Sequence, residues 1–129
     1  VTIVTHNRAG LFDDIVLRRV VESHWRNIPR HFPNVVLDEW IVMPNHLHDI
    51  IVITDDAPSD SLGAIIGNFK SATARRINAI RKTLGAPVWQ RNYWKRIVRN
   101  ENGLNRIREY IINNPANWNT DEENPKNAK

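Results

Sequence analysis

Residues 35–53 read VVLDEWIVMPNHLHDIIVI, two apolar runs joined by Pro44 and Asn45. Val35 to Met43 is dense in β-branched and aromatic side chains, which favour a pleated backbone, and His46 to Ile53 repeats that composition. A Pro-Asn pair between two such runs marks a tight turn, so the stretch predicts a β-hairpin. Upstream, Val1 to Thr5 predicts a short strand that ends in the polar residues His6, Asn7 and Arg8. Asp13 or Asp14 can then cap a helix running from Ile15 to about Arg30, where Leu17, Val20, Val21, His24 and Ile28 recur at helical spacing until Pro29 and Pro33 close it. Downstream, a polar loop at 55–60 precedes a second helix, lined on one side by Leu62, Ile65, Ile66, Phe69, Thr73, Ile77, Ile80 and Leu84 and stopped by Gly85 and Pro87. Val88 to Val98 predicts a fourth strand, and Leu104, Ile107 and Ile111 define a third helix ending near Pro115.

The order strand, helix, strand, strand, helix, strand, helix predicts an α+β fold, a ferredoxin-like antiparallel sheet (βαββαβ) with an additional C-terminal helix. Helices one and two would cover one face of that sheet, leaving the third for the other face or an edge. Residues 1–118 read as a single domain and 119–129 as a polar, flexible tail.

The 129 residues suffice for one domain, and 41% hydrophobic with 25% charged side chains excludes collagen-like, coiled-coil and wholly disordered chains. No apolar run approaches the roughly 20 residues of a membrane span, and no secretory leader opens the chain. A soluble, cytoplasmic protein is expected, and Val1 in place of Met points to residues upstream. With no cysteine, disulfides, thiolate nucleophiles and cysteine zinc sites are all excluded.

Eighteen Lys and Arg against 14 Asp and Glu give a net charge of +4. Between Asn68 and Tyr110, eleven basic residues face only Glu101 and Glu109, so this third of the chain carries +9 and the remainder −5. A polyanion is the natural partner for such a segment. Trp89, Tyr93 and Trp94 are interleaved with its arginines, as a surface that pairs phosphates and stacks unpaired bases requires. A solvated helix face beside core aromatics is the other reading of the same residues.

His46 and His48 stand two apart on a strand, so both imidazoles project from one face and can share a ligand. Two nitrogen donors make an open divalent-metal site that needs a third, and paired histidines also occur as surface or satisfied core groups. Tyr110 and Asn114 are four apart on the third helix and share a shoulder of its apolar stripe. If that shoulder packs on the hairpin, the Asn114 carbonyl oxygen can complete a site suited to Mg²⁺ or Mn²⁺, with the Tyr110 hydroxyl beside it. Otherwise Tyr110 is a half-buried helix tyrosine and Asn114 simply ends the helix before Pro115. His24 reads as structural, His31 as a loop residue, and His6 is given no chemistry.

WIVMPNHLHDIIVI (40–53), SLGAIIGNFKSATARRI (61–77), VWQRNYWKRIVRN (88–100) and REYIINNPANW (108–118), together with VTIVTHNR and AGLF at the start, resemble in order the HUH single-tyrosine transposases of IS200-like type. The likeness is to the REP-associated tyrosine transposase branch and spans nearly the whole chain. It implies that His46 and His48 are the histidine pair, Asn114 the third metal ligand and Tyr110 the nucleophile of a metal-dependent DNA nicking-joining enzyme. It also implies a divalent cofactor, Mg²⁺ or Mn²⁺, and a bacterial, nucleoid-associated location. The implied partner is single-stranded or hairpin DNA at palindromes, cut through a 5′-phosphotyrosine intermediate. A monomer fits this branch, while related transposases pair as homodimers. Lys70, Arg75, Arg76, Arg91, Lys95, Arg96 and Arg99 are the phosphate-binding candidates, and Tyr93, Trp94 and Trp118 the stacking ones. Tyr93 is the only rival nucleophile, without a helical ligand partner. A catalytically inactive hairpin-binding protein and an HUH replication-initiator nuclease are the alternatives. Asp49 departs from the family pattern, which has glycine or an apolar residue there. Alternation turns it away from the histidines, where a buried carboxylate needs a basic partner, a bulge or solvent.

Overall fold

The structure is a computed structural model that describes residues 1–54 and 61–115. The loop at 55–60, Trp118 and the tail at 119–129 lie outside the described residues. Three strands, β1 (Thr2–Val4), β2 (Val35–Met43) and β3 (His46–Ile53), form an antiparallel sheet in the order β1-β3-β2. Pro44 and Asn45 close the β2–β3 hairpin, pairing Met43 with His46 and Val42 with Leu47.

The first predicted helix divides in two, α1 (Ile15–Arg26) and the single turn α2 (Ile28–His31). Pro29 cannot continue α1, because its ring would meet the carbonyl four residues back, whereas near the start of α2 its missing N–H costs nothing. Of the two candidate caps, Asp14 serves: its carboxylate accepts from the Val16 and Leu17 amides at 2.8 and 3.4 Å. The second helix is α3 (Ser61–Arg81), ended by a left-handed Lys82 (φ 56°), with the Thr83 amide donating to the Asn78 carbonyl. The third is α4 (Glu101–Asn113), whose cap Asn100 accepts from the Gly103 amide at 2.7 Å.

α1 and α3 share one face of the sheet. Leu17, Val21 and Trp25 of α1 and Ile65, Ile66, Phe69 and Ile77 of α3 close over Ile3, Val35, Val42 and Leu47. Trp25 meets Phe69 edge-on with ring centroids 5.2 Å apart. Trp89 completes this core, its ring nitrogen donating to the Thr73 hydroxyl at 2.9 Å. α4 packs across β2 and β3 on the opposite face, one of the two places left for the third helix.

The fourth strand is corrected by the structure. Val88 to Val98 runs antiparallel beside β1, in the place that a ferredoxin-like sheet gives its last strand, but pairs only at Thr5 with Trp89 and at Thr2 with Trp94. Between these bridges the carbonyls of Gln90, Arg91 and Asn92 all turn to the Lys70 ammonium, at 2.6, 3.1 and 3.4 Å. A strand alternates its carbonyls, so a backbone that gathers three consecutive ones around a single cation cannot hold the ladder. The sheet is therefore ferredoxin-like in order but three-stranded. Among the described residues no helix is long and apolar enough to cross a membrane.

Candidate active site

Side chains of directly paired residues share a face, so the register of the sheet lays out the floor of the site. One row across it is Val4, His46, Met43 and the next is Thr2, His48, Ile41. Both rows face α4. His46 is buried, with Nδ1 2.9 Å from the Asn45 Oδ1. His48 is half-buried, with Nδ1 2.9 Å from the Thr2 hydroxyl. From the last turn of α4, the Tyr110 ring lies against His48, centroids 5.3 Å apart and planes tilted by 59°. Tyr110 is half exposed, with its ring held against His48.

Asn114 follows one turn later as the residue that ends α4, its amide N–H donating to the Ile111 carbonyl at 3.2 Å. Its side chain is buried, and neither Oδ1 nor Nδ2 has a hydrogen-bond partner. An amide left in that state costs roughly 1–3 kcal/mol, a cost that a cation accepting its oxygen as ligand would offset. Two imidazoles and this amide oxygen are a donor set that a divalent ion fits. Among the described residues no group of three His, Cys, Asp or Glu could hold a metal.

The helix is fastened to the sheet by an ion pair that sequence reading missed. Arg108 donates from Nε and a terminal nitrogen to the two carboxylate oxygens of Asp38, at 2.8 and 2.6 Å, and to the Asn105 side chain at 3.1 Å. These hydrogen bonds hold the Asp38 carboxyl below its ordinary range. Asp38 sits where the β2–β3 register slips between Leu37 and Trp40, a bulge that turns it toward α4. Seventy residues separate the pair, so no local pattern announces it.

A cleft of about 950 Å³ opens from Thr2, His48 and Tyr110 and runs between β3, the 94–100 segment and α4. Trp94, Lys95, Arg96 and Arg99 line it, as does Arg106, which was not among the candidates. Trp94 is two-thirds exposed, anchored by backbone bonds in both directions with Thr2 at 2.7 and 2.9 Å. The other candidates are elsewhere. Tyr93 packs against the core, Arg91 is exposed outside the cleft, and Arg75 and Arg76 stand exposed on α3, across the sheet from Tyr110. The Lys70 ammonium is held by the three carbonyls described above, and burial lowers its pKa. Of the remaining histidines, burial and then Arg76 push His24 down, and His31 and His6 are exposed.

Asp49 projects toward the core, 1% exposed, with the Val1 backbone nitrogen 3.8 Å from its carboxylate and no hydrogen bond to either oxygen. Burial pushes its pKa up to about 8. The expected bulge is present as well, directly before its partner Trp40.

Residues 1–114 match the family described as transposase, IS200-like. An uncharacterized protein of Haemophilus influenzae is 34% identical over 152 residues, covering 95% of this chain and 82% of that protein. Two solved structures share the fold. One, a REP-associated tyrosine transposase bound to a REP hairpin, superposes with a TM-score of 0.69 at 21% identity over 89% of this chain, which spans 64% of that one. The other, from Deinococcus radiodurans R1 and described as a candidate transposase, gives 0.62 at 23% identity over 87% of this chain and 85% of that one. The matched span takes in every strand and helix described above, from β1 to the end of α4, and on that ground the chain belongs to the IS200-like transposase family.

Proposed function

We propose that this transposase-family chain cuts and rejoins single-stranded DNA at hairpins, with Tyr110 as the nucleophile. The observation that carries the reading is the contact of the Tyr110 ring with His48 of the same chain, one helical turn from the buried, unpartnered amide of Asn114. The hairpin bound by the similar REP-associated transposase supports DNA of that form as the substrate.

In the proposed step the Tyr110 oxygen attacks a backbone phosphorus, the bond from phosphorus to the 3′ oxygen breaks, and a 5′-phosphotyrosine and a free 3′-hydroxyl result. The phenol gives up its proton as it attacks, a transfer made difficult by a reference pKa near 10. His48 orients the ring, so the attacking oxygen is offered from a fixed direction. Lys95, Arg96 and Arg99 hold phosphates along the cleft, and the exposed face of Trp94 stacks an unpaired base. His46, His48 and Asn114 would hold Mg²⁺ or Mn²⁺, which when bound supplies positive charge to a non-bridging phosphate oxygen. Because the phosphotyrosine bond conserves the energy of the phosphodiester, a 3′-hydroxyl can reverse the step without a nucleotide cofactor.

The test is incubation of labelled single-stranded hairpin DNA with the protein and Mn²⁺. A denaturation-resistant adduct is expected, absent in Tyr110→Phe and retained in Tyr93→Phe. Hairpin binding with no adduct in the wild type would instead identify a DNA-binding protein without turnover.

A further inference from the structure

The turn that follows β1 holds two consecutive residues, Asn7 (φ 57°) and Arg8 (φ 54°), in the left-handed region, which disfavours side chains other than glycine. What this backbone delivers is a carbonyl: the Arg8 oxygen accepts from Asn45 Nδ2 at 3.3 Å. Asn45 is fully buried between the β2–β3 turn and this segment. Its own carbonyl accepts from the Thr5 amide at 2.9 Å, so the residue is gripped through main chain and side chain together.

A carbonyl can only accept, so the Arg8 oxygen must face the NH₂ end of the Asn45 amide, and the oxygen end is thereby turned to His46. That oxygen lies 2.9 Å from His46 Nδ1. It too can only accept, so Nδ1 must carry the proton, and in the neutral ring the lone pair is then on Nε2. Thr2 differs at His48: its hydroxyl can donate or accept, so the 2.9 Å contact orients that ring without selecting a tautomer.

We infer that Asn45 is a positioning residue, holding His46 as the Nδ1–H tautomer and presenting Nε2 as the donor nitrogen of the site. The role of that nitrogen as a metal ligand rests on the function proposed above; the tautomer does not. A ligand ring held in advance in the correct tautomer loses less on binding, and removing such a partner lowers metal affinity by about 10- to 100-fold.

The measurement is the ¹⁵N spectrum of the His46 ring in metal-free protein under mildly alkaline conditions, alongside Mn²⁺ titration by calorimetry. In the wild type Nδ1 is expected to bear the proton. Asn45→Ala should mix the tautomers and weaken Mn²⁺ binding by about 10- to 100-fold, whereas Asn45→Asp, which keeps an oxygen facing Nδ1, should retain the wild-type tautomer. A wild-type proton on Nε2 overturns the inference whether or not either variant folds. So does a folded Asn45→Ala protein with unchanged tautomer and unchanged Mn²⁺ affinity. Wild-type protein with the expected tautomer but no Mn²⁺ uptake would remove the metal reading of the site and leave the role of Asn45 standing.

Discussion

Asp49 carries a carboxylate into the interior, where it is only 1% exposed. Its carboxyl is raised to about 8 when folded, against about 3.9 for an unfolded aspartate. Between these values the folded chain binds one more proton than the unfolded chain, so stability falls as pH rises through the window, by up to about 1.4 kcal/mol per unit, and levels off above it. Asp49→Asn should abolish that slope, as measured by urea unfolding on either side of the window; a slope that persists would place the titration on another group. Alternation alone showed in the sequence that Asp49 points away from the histidines. That the Val1 backbone nitrogen lies near it was not legible, because that contact joins residues 48 apart in the chain.

α4 is thinly docked, with Ile111 the only residue of the helix itself that is buried, and so its placement leans on the fork between Arg108 and Asp38. Asp38→Asn should slow formation of the tyrosine adduct by about tenfold through a displaced phenol, with hairpin affinity changed less than twofold. The reversed pair, Asp38→Arg with Arg108→Asp, should recover part of the rate; equal rates in Asp38→Asn and wild type would show that packing alone seats the helix. Elements with a strong apolar period, the hairpin and α1 above all, were legible because the core that they face imposes that period. The fourth strand was misread. Its composition suits a strand, but Lys70, some twenty residues earlier, draws its carbonyls out of the ladder, and a tertiary contact of that kind leaves no local mark. The break at Asn27 was readable from Pro29, yet apolar spacing through Ile28 argued for continuity.

At the scale of the whole molecule, the basic segment divides between two sides of the sheet. Lys95, Arg96 and Arg99 line the cleft that reaches Tyr110, and Arg75 and Arg76 stand behind the sheet on α3. Each alanine substitution in the first group should reduce the slope of log K against log salt for hairpin binding by about 0.7, whereas Arg75→Ala and Arg76→Ala should change it less. Equal reductions would mean that DNA wraps both faces. The overall arrangement followed from the sequence; which cations share a surface with Tyr110 did not, since that depends on the course of the 94–100 segment beyond its bridge to Thr2. β2 is an edge strand of the sheet, and the bulge at Asp38 and Glu39 breaks its regular extended run. A strand from another molecule finds no continuous template there, so the feature that aims Asp38 at the helix also guards the protein against edge-to-edge aggregation.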